Sequence, residues 1–174
     1  MKMRRIPATL IALLLTLTGC ATLHDAALDG DVSEVQALLS EGEPVDERDE
    51  AQGTPLMAAA KANRTRVIRL LLANGADPNA TDRFGKTALW YAYDYGHRNA
   101  FRMLLESGAS ADFLLTAAAP PGAPEKRRMY DLAREYELVE SMEASGGGAA
   151  IGRFETYFAR YRDGAFAPRV LGML

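Results

Sequence analysis

One interval, 33 residues, organises this chain. Leu23, Leu56 and Leu89 stand 33 apart, as do Ala26, Ala59 and Ala92. The pairs Leu38-Leu39, Leu71-Leu72 and Leu104-Leu105 keep the same step, and so do Gly42, Gly75 and Gly108, with Asp49 and Asp82 in a register of their own. Self-similarity at such a period marks stacked supersecondary units, not unrelated elements wrapped around one centre. Each unit reads as two helices. Thr54-Pro55 and Thr87-Ala88 open the first, a hydroxyl cap followed in one copy by a proline whose missing N–H is harmless in a first turn. Small Ala26, Ala59 and Ala92 allow these short helices to stack closely. The leucine pairs, with Val35, Ile68 and Phe101, place an apolar stripe at helical spacing on the second helix. Gly42, Gly75 and Gly108 then suit a left-handed C-terminal position. No such hairpin can bury its apolar face alone, so its neighbours must cover it.

The copies carry a recognisable signature. The second reads Asp49…Thr54-Pro55-Leu56-Met57-Ala58-Ala59-Ala60, then Val67…Leu70-Leu71-Leu72…Gly75-Ala76-Asp77-Pro78-Asn79. The third runs from Asp82-Arg83-Phe84-Gly85-Lys86-Thr87-Ala88-Leu89 to Gly108-Ala109, and the first begins at Thr22-Leu23-His24-Asp25-Ala26-Ala27. At these residues the chain resembles the ankyrin repeat, over residues 21–112. The resemblance implies an all-α helical solenoid of three repeats, assigned to residues 20–112. Two departures carry expectations. Gln52 stands where the family has a turn glycine, with Gly53 one place later, so the second finger is expected to bend differently. Trp90 and Tyr93 replace a histidine and a small residue, and both are expected in the core.

Beyond residue 112 the period weakens. Residues 113–143 read as a degenerate fourth repeat or cap: a loop over Thr116–Pro124, a first helix over Met129–Tyr136 and a short second one over Leu138–Met142. Residues 144–149, with Ser145-Gly146-Gly147-Gly148, form a flexible linker. Residues 150–174 are expected to make a helical hairpin, weakly similar to one in tetratricopeptide-like envelope proteins.

The amino-terminal segment is an address. Lys2, Arg4 and Arg5 precede the apolar run Leu10–Leu17, too short to cross the ~30 Å hydrocarbon core as a helix. It stops at Leu17-Thr18-Gly19-Cys20, which resembles the lipobox of bacterial lipoproteins. That resemblance implies a signal peptide at 1–19, diacylglycerol on the Cys20 sulfur and an acylated new terminus, because the chemistry needs a thiol. Ala21 after the cysteine resembles an outer-membrane sorting signal, with the repeats facing the periplasm. Cys20 is the chain's one cysteine.

Charge narrows the function further. Losing Lys2, Arg4 and Arg5 leaves 17 basic against 23 acidic residues, about −6 where the whole chain has −3. Residues 20–60 hold ten acidic residues and one basic, whereas residues 61–102 hold eight basic and three acidic. Such polarity steers encounter with a protein partner. No basic block is aromatic-interleaved enough to argue for nucleic acid. The chain has no serine-hydrolase elbow and no zinc-protease motif, so neither catalysis nor a cofactor, metal or small-molecule substrate is expected. His24 sits at the family's structural histidine position, where the ring bonds nearby turn groups. His97, after Gly96, reads as a solvated or capping residue, and Asp46-Glu47-Arg48-Asp49-Glu50 as a solvated finger tip, with a cation site or a basic partner's docking strip as the alternatives.

Ankyrin arrays bind through finger tips and the exposed side of the inner helices. By position, that face comprises Glu50 and Lys61 in the second repeat and Arg83, Phe84, Lys86, Asp94 and Tyr95 in the third. Phe84 is the most telling, because a turn tip seldom needs a large apolar ring. The expected function is a membrane-anchored periplasmic lipoprotein whose repeats are a protein–protein interaction scaffold. The alternative is an immunity-type inhibitor of a toxin or an accessory to an envelope enzyme.

Overall fold

The computed structural model describes residues 22–115, 124–144, 161 and 164–171. The expected signal peptide at 1–19, Cys20, the expected loop except Pro124, the expected linker beyond Ala144 and most of the expected terminal hairpin lie outside the described residues. Among those described, every regular element is helical. Three hairpins follow the period: α1 (Leu23–Asp29) with α2 (Val32–Glu41), α3 (Pro55–Lys61) with α4 (Thr65–Ala73), and α5 (Ala88–Asp94) with α6 (Arg98–Glu106). Then come α7 (Asp112–Leu115), α8 (Pro124–Ala144) and α9 (Ala167–Leu171).

The inner helices begin as their sequence dictates. Thr22, Thr54 and Thr87 are extended N-caps whose side chains accept from the backbone N–H of Asp25, Met57 and Trp90, and Pro55 occupies the first turn of α3. Such a cap is worth about 1 kcal/mol. Leu23, Leu56 and Leu89 are buried in one continuous core with Ala26, Ala59 and Ala92, so α1, α3 and α5 stack through their small faces. The outer helices α2, α4 and α6 close the core from behind with Val35, Ile68 and Phe101. Leu38 and Leu71 are buried while Leu39 and Leu72 are half-exposed, yet Leu104 and Leu105 are both buried. Among the described residues, only the third outer helix, α6, has α8 packed on it.

The fourth unit is corrected by α8. Where a helix, a break and a short second helix were expected, one helix of 21 residues runs from Pro124 to Ala144. No glycine, proline or capping residue interrupts Tyr136-Glu137-Leu138. Met129, Leu132, Ala133 and Val139 continue a single buried stripe through that point at helical spacing. It caps the stack as one long helix. The tail closes on it: Phe166 and Val170 are buried, the Phe166 N–H donates to Glu135 Oε1 at 3.0 Å, and the Phe166 ring meets Tyr136 edge-on at 5.3 Å.

The fingers are also corrected. Gln52 was expected to bend the second one, but both fingers close alike. Asp49 N–H donates to Gly53 O at 3.1 Å and Asp82 N–H to Lys86 O at 3.0 Å; Gln52 N–H and Gly85 N–H donate back to Asp49 O and Asp82 O. Gln52 keeps this turn by taking the left-handed backbone itself, φ 61°, where Gly85 has 69°. A residue with a Cβ pays about 1–2 kcal/mol there, against the roughly 0.5–1 kcal/mol that glycine loses to its freedom when unfolded.

Polar side chains then tie repeat to repeat. Asn79 Oδ1 accepts from Ser110 N–H at 2.7 Å, and its Nδ2 donates to Gly108 O at 3.0 Å. One period earlier, Asp46 Oδ2 accepts from Asp77 N–H at 3.0 Å, but Asp46 Oδ1 is buried with no hydrogen-bond partner. A carboxylate stands where the third repeat uses an amide. Arg64 Nε donates to Leu28 O at 2.9 Å and His97 Nε2 to Lys61 O at 3.0 Å, again 33 apart. His97 thus holds the N-cap position of α6 without a side-chain cap bond, its ring reaching back to the previous repeat.

Two stability changes follow. Gln52→Gly should raise the unfolding free energy by about 0.5–1 kcal/mol; a lower denaturation midpoint would contradict the turn assignment. Asp46→Asn supplies an N–H toward the carbonyl of Gly75, the register mate of Gly108, and should add about 1 kcal/mol. Unchanged urea unfolding of that variant would show that Oδ1 already has a partner.

Candidate functional site

The second finger and the two inner helices beside it enclose a groove of about 720 Å³. Its floor is Leu28 of α1 with Met57 and Ala58 of α3, and its finger wall is Glu47 to Ala51, with Asp25 and Lys61 at its edges. Leu28 is 44% exposed. His24 fastens the wall: its Nε2 lies 2.9 Å from Gly53 O, and since a carbonyl only accepts, Nε2 carries the proton. Its Nδ1 faces Glu47 at 4.0 Å. His24 therefore bonds a turn group, as its position implied.

The acidic finger is wired as well as solvated. Asp49 Oδ1 accepts from the N–H groups of Ala51 and Gly53 at 2.8 and 2.7 Å, and Asp82 Oδ1 accepts from those of Phe84 and Lys86 at 2.8 and 2.9 Å. Arg48 Nη1 donates to both Gln52 O and Thr81 O at 2.7 Å, joining the second finger to the third. Asp82 is buried and its Oδ2 takes the Tyr91 hydroxyl at 2.6 Å. Burial pushes Tyr91 up to about 12, helped by the hydrogen bond to Asp82. For Asp82 burial alone acts upward, but the hydrogen bonds from Tyr91, Lys86 and Phe84 and the charge of Lys86 outweigh it and hold the carboxyl below its ordinary 3.8.

The residues expected to meet a partner separate into several groups. Glu50 is exposed at the second tip and lines the groove with Lys61. Phe84 is 63% exposed, with the Arg83 guanidinium 4.8 Å from its ring centre, so this ring stands out from the third tip. Lys86 lies over Trp90 at 4.0 Å. Tyr95 is half-exposed, stacked on His97 at 6.1 Å with Lys61 Nζ 5.9 Å from its ring centre. Asp94 differs, because Lys126 of α8 holds it in an ion pair at 2.9 Å that spends it on seating the cap. Of the two aromatics expected in the core, Tyr93 packs there against Phe101 and Phe113, at 6.2 and 5.9 Å. Trp90 does not: it is half-buried at the surface, edge-on to Tyr91 and roofed by Lys86.

Asp25 and Leu28 were missed as lining residues, and Glu47 was read only as part of the acidic finger tip. Leu28 carried a signal: it is the first-repeat copy of Lys61 and Asp94, 33 residues apart on the exposed end of each inner helix.

A family model of ankyrin repeats, in three copies, matches residues 23–114, more than half of the chain. The chain belongs to the ankyrin repeat family. Among curated relatives, it is 36% identical over 93 residues to a putative ankyrin repeat-containing protein of Treponema pallidum (strain Nichols), covering 53% of this chain and 31% of that one. It is 38% identical over 68 residues to NF-kappa-B inhibitor delta of Mus musculus, covering 39% and 21% of the two chains. The same identity and length relate it to protein phosphatase 1 regulatory subunit 27 of Homo sapiens, covering 39% and 44%. This ankyrin chain thus spans less than half the length of each of these relatives.

The Asp82 network sets a pH dependence. Because the folded carboxyl sits below the unfolded one, its stabilisation is complete above about pH 4 and is lost as pH falls through the lowered folded value. Asp82→Ala should cost about 2–3 kcal/mol at pH 7, leaving two backbone donors and a phenol without their acceptor. The difference between this variant and the parent should narrow in unfolding curves taken below pH 4; a gap that stays constant would remove the charge from the explanation.

Proposed function

We propose that the chain is a lipid-anchored protein of a bacterial envelope, facing the periplasm, whose ankyrin repeats hold a protein partner. The observation that carries the binding half is Phe84: an aromatic ring, 63% exposed, braced by Arg83 at a finger tip, whereas Phe101 and Phe166 among the described residues are buried. Aromatic and Arg anchors dominate binding energy at interfaces, provided a rim excludes water. Tyr95, half-exposed with Lys61 beside its ring, would add a second contact on the inner-helix side of the same repeat. The anchoring half rests on Leu17-Thr18-Gly19-Cys20 behind its basic and apolar run. Several acyl chains at ~0.8 kcal/mol per buried methylene would hold firmly, where one alone holds marginally.

Only Ala21 and Thr22 separate Cys20 from Leu23, so the anchor would hold the first repeat beside the bilayer. Ala21 supports the outer membrane. A second reading, that this partner is an enzyme or toxin held in check, draws on the names of two relatives, one an inhibitor and one a regulatory subunit.

Crosslinking and pull-down from membranes tests both halves. The parent should be labelled by radioactive fatty acid and recover a discrete partner. Cys20→Ser should lose the label and leave the membrane fraction; Phe84→Glu should keep the label and reduce partner recovery about tenfold or more, the scale of a hot-spot residue. Label persisting in Cys20→Ser defeats the anchor, and undiminished recovery with Phe84→Glu defeats the docking face.

A further inference from the structure

We propose that the groove of the first two repeats takes an extended, basic segment of the protein partner, with Lys or Arg side chains on the finger wall and an apolar side chain on Leu28. This rests on the protein-binding reading and goes further, assigning the chemistry of the segment and the place where it sits.

Three observations combine. The groove has an apolar floor left open to solvent, centred on Leu28 at 44% exposure. Its lining carries Asp25, Glu47, Asp49, Glu50 and Asp82 against Arg48 and Lys61. Those two cations are already engaged, Arg48 by the carbonyls of Gln52 and Thr81 and Lys61 by the Tyr95 ring. Asp82 is engaged too, by Tyr91. Asp25 takes the Thr22 hydroxyl at 2.9 Å, so Glu50, and Glu47 with His24 Nδ1 at 4.0 Å, remain as the groove's carboxylates, and low-dielectric walls focus their field into the cleft.

The finger can present them because its own shape does not depend on them. Asp49, not Glu47 or Glu50, accepts the turn's N–H groups, and Arg48 anchors the finger to its neighbour. The charge is therefore displayed on a rigid support. An acidic segment meets like charge here; a wholly apolar one strands carboxylates at the rim. A segment alternating basic and apolar side chains satisfies wall and floor together.

The third repeat does a different task. Arg83, Lys86 and Phe84 make its tip cationic and aromatic, and Asp94, its one exposed inner carboxylate, is neutralised by Lys126. Basic residues of the partner therefore belong over the first two repeats.

The test uses fluorescence anisotropy with the full chain and a short labelled peptide of Arg, Leu and Ser, beside its Glu, Leu and Ser counterpart. The basic peptide should bind and the acidic one should not, with affinity falling as salt rises. Glu47→Lys with Glu50→Lys should weaken it about tenfold or more. Glu41→Lys with Glu43→Lys makes the same change of net charge off the groove and should alter affinity less than about twofold. Leu28→Ser should weaken it several-fold without changing the salt dependence, and thermal unfolding checks that each variant is folded. Equal losses in the two charge-reversed pairs, or equal binding of both peptides, overturn the groove assignment. In the membrane pull-down, a partner lost with Phe84→Glu but retained with the Glu47/Glu50 pair overturns this inference and spares the scaffold reading. A groove that binds the basic peptide while no partner is recovered from membranes supports this inference and counts against that reading.

Discussion

A two-helix unit of this size has one apolar face and nothing of its own to put against it. Everything else follows from that shortage. Burying Leu56 requires α1 on one side and α5 on the other, so stability belongs to the stack and not to any repeat. The 33-residue step is the sequence record of this requirement: each hairpin must present the same leucines and alanines at the same height for the next to fit. The ends are where the rule breaks. At the far end α8 answers it with a single long helix packed on α6, where a further repeat would otherwise be needed.

Polar contacts refine the stack without driving it. Bonds such as Asn79 to Ser110 and Gly108, Arg64 to Leu28 and His97 to Lys61 recur at the same period and satisfy backbone groups that the hairpins leave open. They also set how far one repeat can rotate on the next, and so fix the fingers that carry Glu50 and Phe84. Asp46 shows the limits of that logic: one oxygen repeats the bond of Asn79 and the other has lost its role. The strain at Gln52 is of the same kind, a local departure tolerated because the surrounding finger is held by Asp49 and Arg48.

Charge is distributed by position along the stack. The acidic first third of the repeats lines a groove, and the basic second third ends in a finger tip topped by Phe84. The scaffold spaces these features and keeps them from neutralising one another, which a compact globule of the same composition would not do.

The repeat number, the helix order, the N-caps and the core leucines were legible in the sequence because they depend on contacts repeated at one interval. Periodicity exposes any residue whose neighbour is its own copy. Exposure of Phe84 and the structural bond of His24 were legible for the same reason. What only the tertiary structure decided lies where neighbours are not copies. Asp94 belongs to Lys126 and the helix of α8 runs unbroken, because the final unit departs from the period and meets the third repeat on its own terms, while Trp90 lies at the surface under Lys86 of its own repeat. The groove required the structure too, since Leu28, Glu47 and Asp25 converge from α1 and the second finger. Their separation in the chain hides a proximity that only stacking creates.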